Sequence, residues 1–163
     1  NKKYMFSLIL MSSKYSCFLL LIISVPIFLN TDYILHLWLG QVPIYSVIFV
    51  RLVLINIILD GISNPLMIAA QANGDIKRYQ IIVGSTIILN LPISYGFLVF
   101  GGLPESTMYI SIVISVLSLF LRLFELKRMI AISIADFIKK VVLRIIYLVL
   151  ICFFFLLLIV LPL

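Results

Sequence analysis

Apolar residues run through this chain in five long blocks, Tyr15 to Leu37, Tyr45 to Ala72, Gln80 to Phe100, Thr107 to Leu126 and Val141 to Leu163, with short polar links between them. A helix crossing the hydrocarbon of a bilayer needs about 20 mostly apolar residues, so each block is long enough to span. The pattern predicts an all-α fold: a polytopic transmembrane helical bundle of about five spans (15–37, 45–72, 80–100, 107–126 and 141–163). Residues 1–163 are expected to form a single partial transmembrane domain with no soluble domain. Asn1 to Ser13 alternates charged, aromatic and aliphatic residues and reads either as an interfacial helix or as the end of a preceding link. Ile130 to Arg144 mixes Ile, Ala and Phe with Asp136, Lys139, Lys140 and Arg144, an amphipathic pattern expected on the membrane surface before the fifth span.

Breaks inside the blocks refine this picture. Pro26 removes a backbone hydrogen bond from the first span and is expected to kink it. Asn90, Pro92 and Ser94 interrupt the third, and Pro65 lies in the second. These prolines either permit bending during transport or are structural. Asn73-Gly74 supplies the positive φ of a tight turn, and Gly40 with Pro43 makes another. Trp38 marks a membrane interface, where His36 is an ordinary interfacial residue or has a proton-linked role. Ser111, Ser115 and Ser118 recur at helical spacing, a small-residue face for close helix approach.

Composition agrees with a membrane assignment: 64% of residues are apolar and 11% charged, and the mean hydropathy is +1.31. A soluble domain of this size carries far more polar surface. The formal net charge of +6 sits at membrane edges. Lys2, Lys3 and Lys14 precede the first span, Lys77 and Arg78 follow the second, and Lys127, Arg128, Lys139, Lys140 and Arg144 surround the link between the fourth and fifth. The links Asn30 to Ile44 and Gly101 to Ser106 hold no Lys or Arg. Positive loops stay cytoplasmic, so the N-terminus of this segment is expected inside. The charge is a topology signal, not a nucleic-acid footprint. Cys17 and Cys152 lie inside spans and act as small apolar residues, so neither a disulfide nor a metal site is expected, and no cofactor. The chain opens without an initiator Met and reads as a piece of a longer protein.

The second span is the most polar. At 100° per residue, Asn56, Ser63, Asn64, Met67 and Gln71 fall within roughly 60° of Asp60, one stripe that has to face other helices or a water-filled cavity. An unpaired charge at the depth of Asp60 costs at least about 2.5 kcal/mol. Asp60 is either a proton, cation or substrate site, or a carboxyl that holds helices together. Arg51 points away from it and either snorkels to the outer interface or lines an anion pathway. Arg51, Asn56, Asp60 and Asn64 are the candidate substrate or ion pathway residues. Lys14 and Arg122 lie near cytoplasmic ends and are expected to snorkel. Catalytic constellations are lacking: one His, no Gly-x-Ser-x-Gly, no phosphate-cradling Gly-rich loop and no long outer loop. The chain does not read as an enzyme.

Leu35-His36-Leu37-Trp38-Leu39-Gly40 with Pro43, then Asn64-Pro65-Leu66, Ala72-Asn73-Gly74-Asp75-Ile76-Lys77-Arg78-Tyr79-Gln80 and Leu89-Asn90-Leu91-Pro92-Ile93-Ser94-Tyr95 form an ordered set. The set, over roughly residues 1–130, resembles the C-terminal half of bacterial polysaccharide-biosynthesis flippases, the O-antigen and capsule lipid-linked oligosaccharide transporters. The resemblance implies spans from the second bundle of a MATE-like two-bundle transporter in the bacterial cytoplasmic (inner) membrane, with the N-terminal bundle supplied by the rest of the protein. It implies translocation of undecaprenyl-diphosphate-linked oligosaccharide by alternating access for surface polysaccharide synthesis. Expected partners are that lipid-linked oligosaccharide, membrane lipid, and a polysaccharide polymerase and glycosyltransferases of the same assembly line. No binding residue transfers by motif. On this reading Arg51 attracts diphosphate or acidic sugar, and Asp60 with the Asn56 to Asn64 stripe hydrogen-bonds sugar or couples an ion. Rival readings are a multidrug or cation antiporter of the same superfamily, a polytopic polysaccharide polymerase, and a scaffold subunit. Short outer links lacking Lys and Arg weigh against the polymerase, and an intramembrane Asp60 against the scaffold.

Overall fold

The computed structural model of the chain describes residues 2–74 and 76–160, with side chains over 4–74 and 76–151. All regular structure among them is helical. Helix α1 spans Lys2–Leu29, α2 Thr31–Leu39, α3 Ser46–Ala72, α4 Lys77–Ile88, α5 Asn90–Val99, α6 Ser106–Ile130, α7 Ile134–Phe137 and α8 Leu143–Val160, with a π-helical stretch Ile138–Val142 joining the last two. Four stretches are long and apolar enough to cross a membrane: Tyr4–Leu29, Ser46–Ala72, Lys77–Val99 and Ser106–Ile130. The chain is a multi-pass membrane protein. The expected fifth span, Val141 to Leu163, ends outside the described residues, as do Asn1, Asp75 and the Cys152 side chain.

Several expected boundaries move. Residues before Ser13 are neither a separate interfacial helix nor a link; from Lys2 onward they are the first turns of α1. The expected span from Tyr15 to Leu37 is divided instead at Asn30, one turn after Pro26, whose carbonyl accepts from the Asn30 N–H at 3.1 Å. The helix continues through Pro26 because the ring removes one bond and the following turn restores the next. The third span breaks at Leu89, between α4 and α5. Pro92, in the first turn of α5, has no N–H for the Ile88 carbonyl, and a first-turn position is where proline is tolerated. Ile130 to Arg144 is not one amphipathic helix. Ala131, in the left-handed region at φ 56, ends α6. Ser133 then caps α7, its Oγ accepting from the Asp136 N–H at 3.2 Å. The turn expected at Asn73-Gly74 has its positive φ, 87, at Gly74.

Helix α3 is the centre of the bundle, packed against α1 on one side and α6 on the other, and α6 also packs on α4 and α5. Gly61 permits the first approach: a Cβ there would collide with the Leu20 side chain. The Ser13 Oγ donates to the Ile62 carbonyl at 3.2 Å, a buried bond between α1 and α3 worth about 0.6 kcal/mol inside a membrane. Cys17, Leu66, Leu123, Leu126 and Phe137 form a core that gathers towards the end of the bundle carrying Lys77, Arg78, Lys127 and Arg128. At the other end α5 buries nothing and Trp38 and Phe100 stand open. Large apolar side chains on outer faces are the ordinary condition of helices in hydrocarbon.

Candidate functional site

Two polar stripes meet inside this apolar bundle. On α6, Ser111, Ser115, Ser118, Arg122 and Glu125 recur at alternating intervals of four and three residues, which keeps them on one face. At 1.5 Å per residue the stripe covers roughly 21 Å of helix. Opposite stand Asn56, Asp60 and Ser63 of α3, and beside them Asn90, brought in by the break at Leu89. Between these walls is a cavity of about 250 Å³ reaching from Ser111 to Arg122.

Its polar groups are partly tied down. Asn90 Nδ2 donates to Ser111 Oγ at 2.9 Å, and Ser94 Oγ donates to Asn90 Oδ1 at 3.1 Å, so the start of α5 is clasped to α6. Arg122 Nε donates to Ser118 Oγ at 3.3 Å. Its Nη1 and the Asn56 Oδ1 are buried without a hydrogen-bond partner among the described residues. The Tyr79 hydroxyl lies beside the Arg122 guanidinium without meeting hydrogen-bond geometry. One turn further along α6, Glu125 is 4% exposed and pairs with Arg78 at 3.4 Å. Polar chemistry therefore runs from the cavity to the basic end of the bundle.

The four candidates taken from the sequence do not stay together. Asn56 and Asp60 line the cavity. Asn64 faces the other way, into a groove against α1 lined by Ser16, Leu19, Leu20 and Gly61. The helix angle explains the division: Asn56 lies roughly 40° to one side of Asp60 and Asn64 roughly 40° to the other. With α6 on one flank and α1 on the other, the stripe is shared out, and Asp60, between them, lines both spaces. Arg51 is elsewhere, half-buried, its guanidinium 5.6 Å from the Phe28 ring, a cation–π contact between α3 and the end of α1.

Arg122 is the main correction. Its place near the end of a span suggested snorkelling, yet it is 9% exposed and turned into the bundle. Its spacing from Ser111, Ser115 and Ser118 was the available signal, because the same alternation extended by four residues reaches Arg122. The Lys14 Nζ lies 5.7 Å from the Tyr15 ring centroid and 5.5 Å from that of Phe18, cation–π contacts on its own helix. Cys17 is a free, buried thiol. Comparison with known protein families, with curated proteins and with solved structures found no match for this chain.

Proposed function

We propose that this chain is part of a flippase that moves undecaprenyl-diphosphate-linked oligosaccharide from the cytoplasmic to the outer leaflet of the bacterial inner membrane by alternating access. One observation supports it above the rest: a polar cavity holding one acidic and one basic side chain, Asp60 and Arg122, inside helices apolar enough to cross a bilayer. Intramembrane ionisable groups facing a cavity mark the path of a polar substrate or ion. The ordered Trp-Leu-Gly, Asn-Pro-Leu, Asn-Gly and Asn-x-Pro segments support the same family. Arg122 takes the cationic role first given to Arg51, which is engaged with Phe28; Asn56, Asp60 and Asn64 remain on the path. The missing bundle, a polymerase and glycosyltransferases are the proposed partners, and the basic links are proposed to be cytoplasmic.

A drug or cation antiporter is the second reading, favoured by the groove in which the Asp60 carboxylate faces Leu19, Leu20 and Ile57, a combination suited to a lipophilic cation. The test deletes the parent gene and assays lipid-linked repeat units in each leaflet, with Arg122→Gln, Asp60→Asn and Arg51→Ala forms added back. Repeat units held on the cytoplasmic side, restored by the intact gene and by Arg51→Ala but poorly by the other two, support the flippase. Normal export with lost drug resistance replaces it by the antiporter, and exported but unpolymerised units replace it by a polymerase.

A further inference from the structure

The third span is two half-helices, and α6 holds them in different ways. Helix α4 buries Tyr79, Val83 and Thr86, and its start is fixed by the Arg78–Glu125 pair at 3.4 Å. Helix α5 lies along α6 yet buries no side chain, and its Leu91, Tyr95, Phe97 and Val99 stand exposed. Its side-chain tie to α6 is polar: Asn90 Nδ2 donates to Ser111 Oγ at 2.9 Å, while Ser94, within α5, orients the Asn90 amide. Turns bound α5 at both ends. At Leu89 the helix is interrupted, and Pro92 offers no N–H to the Ile88 carbonyl. At the far end Gly101, at φ 83, and Gly102, whose N–H donates to the Phe97 carbonyl at 2.9 Å, close the helix in a Schellman-type turn.

We infer that α5 is a hinged gate on the cavity between α3 and α6, pivoting at Leu89 and latched by the Asn90–Ser111 hydrogen bond. Asn90 and Ser111 both line that cavity, so the latch is part of its wall, at the end away from Lys127 and Arg128 on α6. Releasing it lets α5 swing from α6 and opens that end, while α4 stays seated. A half-helix that buries no side chain gives up little packing when it moves, and hinge motion concentrates in a few residues at element ends. One interhelical hydrogen bond then shifts the balance between closed and open forms. The role of this gate in export rests on the flippase reading; access to the cavity does not, and is measured separately.

The test uses the whole protein containing this chain, freed of its cysteines and carrying Ser115→Cys in the cavity lining, in sealed proteoliposomes. It measures the rate at which that thiol is modified by the membrane-impermeant (2-sulfonatoethyl) methanethiosulfonate supplied on the side opposite the basic links. Asn90→Ala should speed modification about threefold, the share of one interhelical hydrogen bond, and Ser111→Ala should do the same with α5 itself unaltered. Combining the two should add little, because both remove the same bond. Tyr79→Phe, on the seated half-helix, should leave the rate unchanged. Equal rates in the intact protein and both latch variants, or a rate raised as much by Tyr79→Phe, would overturn the gate. Rates that follow the latch, in a protein whose deletion leaves export of lipid-linked repeat units intact, keep the gate and remove the flippase reading. Export that needs the gene, with rates indifferent to the latch, does the reverse.

Discussion

Arg78 at the start of α4 and Glu125 near the end of α6 pair at 3.4 Å across a steep gradient of burial, with Arg78 56% exposed and Glu125 enclosed. The partners are therefore unequal. Removing Arg78 leaves a buried carboxylate unanswered, whereas removing the charge of Glu125 releases an arginine that already reaches water. Arg78→Ala should lower stability by about 1–3 kcal/mol, the scale for an orphaned buried polar group, and Glu125→Gln by less. Thermal unfolding in detergent, followed by loss of the monodisperse chromatographic peak, checks the order; equal losses would mean that burial does not govern this pair.

Asp60 and Arg122 share a cavity, so their deletions should not add. Arg122→Met leaves Asp60 without its countercharge, and Asp60→Asn relieves that deficit. The double variant should be more stable than the sum of the singles predicts, with a coupling of about 0.5–3 kcal/mol. Additive losses in the same unfolding assay would show that the two groups do not sense each other.

At Gly61 the Leu20 side chain of α1 occupies the space a Cβ needs. Gly61→Ala should be tolerated with a shift of Leu20. Gly61→Leu should separate α1 from α3 and strain the Ser13–Ile62 bond, at a cost of about 1–3 kcal/mol. Crosslinking between cysteines placed on α1 and α3 reads the separation directly: undiminished crosslinking in Gly61→Leu would show that the helices do not depend on this contact.

The Asn90 clasp makes a different prediction, because it lies at a helix break and not in a packed face. Asn90→Ala loses the bond to Ser111 and leaves Ser94 without its acceptor, about 1 kcal/mol in stability. Protection of the α5 amides in hydrogen exchange should fall while that of α4, packed independently on α6, is kept. Loss spread equally over both would mean that the two halves open as one unit.

Cys17 is fully buried in the core between α1 and its neighbours. In a Cys152→Ser background maleimide should label it only after unfolding, and rapid labelling of that folded variant in detergent would contradict the packing of α1.

Hydropathy alone determined that the chain is helical and membrane-spanning, because about 20 apolar residues in a row have one stable solution in hydrocarbon, with every backbone group bonded within its own helix. Local chemistry was equally legible at Asn73-Gly74, a tight turn whose positive φ falls on Gly74. Helix ends were less so. Whether Pro26 or Asn30 ends α1, and whether Ile130 to Arg144 is continuous, depends on caps and on Ala131 adopting a left-handed conformation that nothing in its side chain demands. The site was half legible. The angle between residues on α3 placed Asn56, Asp60 and Asn64 on one stripe, but a single helix does not say which neighbour lies on which flank. Only the tertiary structure, by setting α6 against Asn56 and α1 against Asn64, divided that stripe and turned Arg122 from the lipid edge to the interior. The reason is physical: helix formation is local, whereas the partner of a buried charge is chosen by packing between segments far apart in the chain.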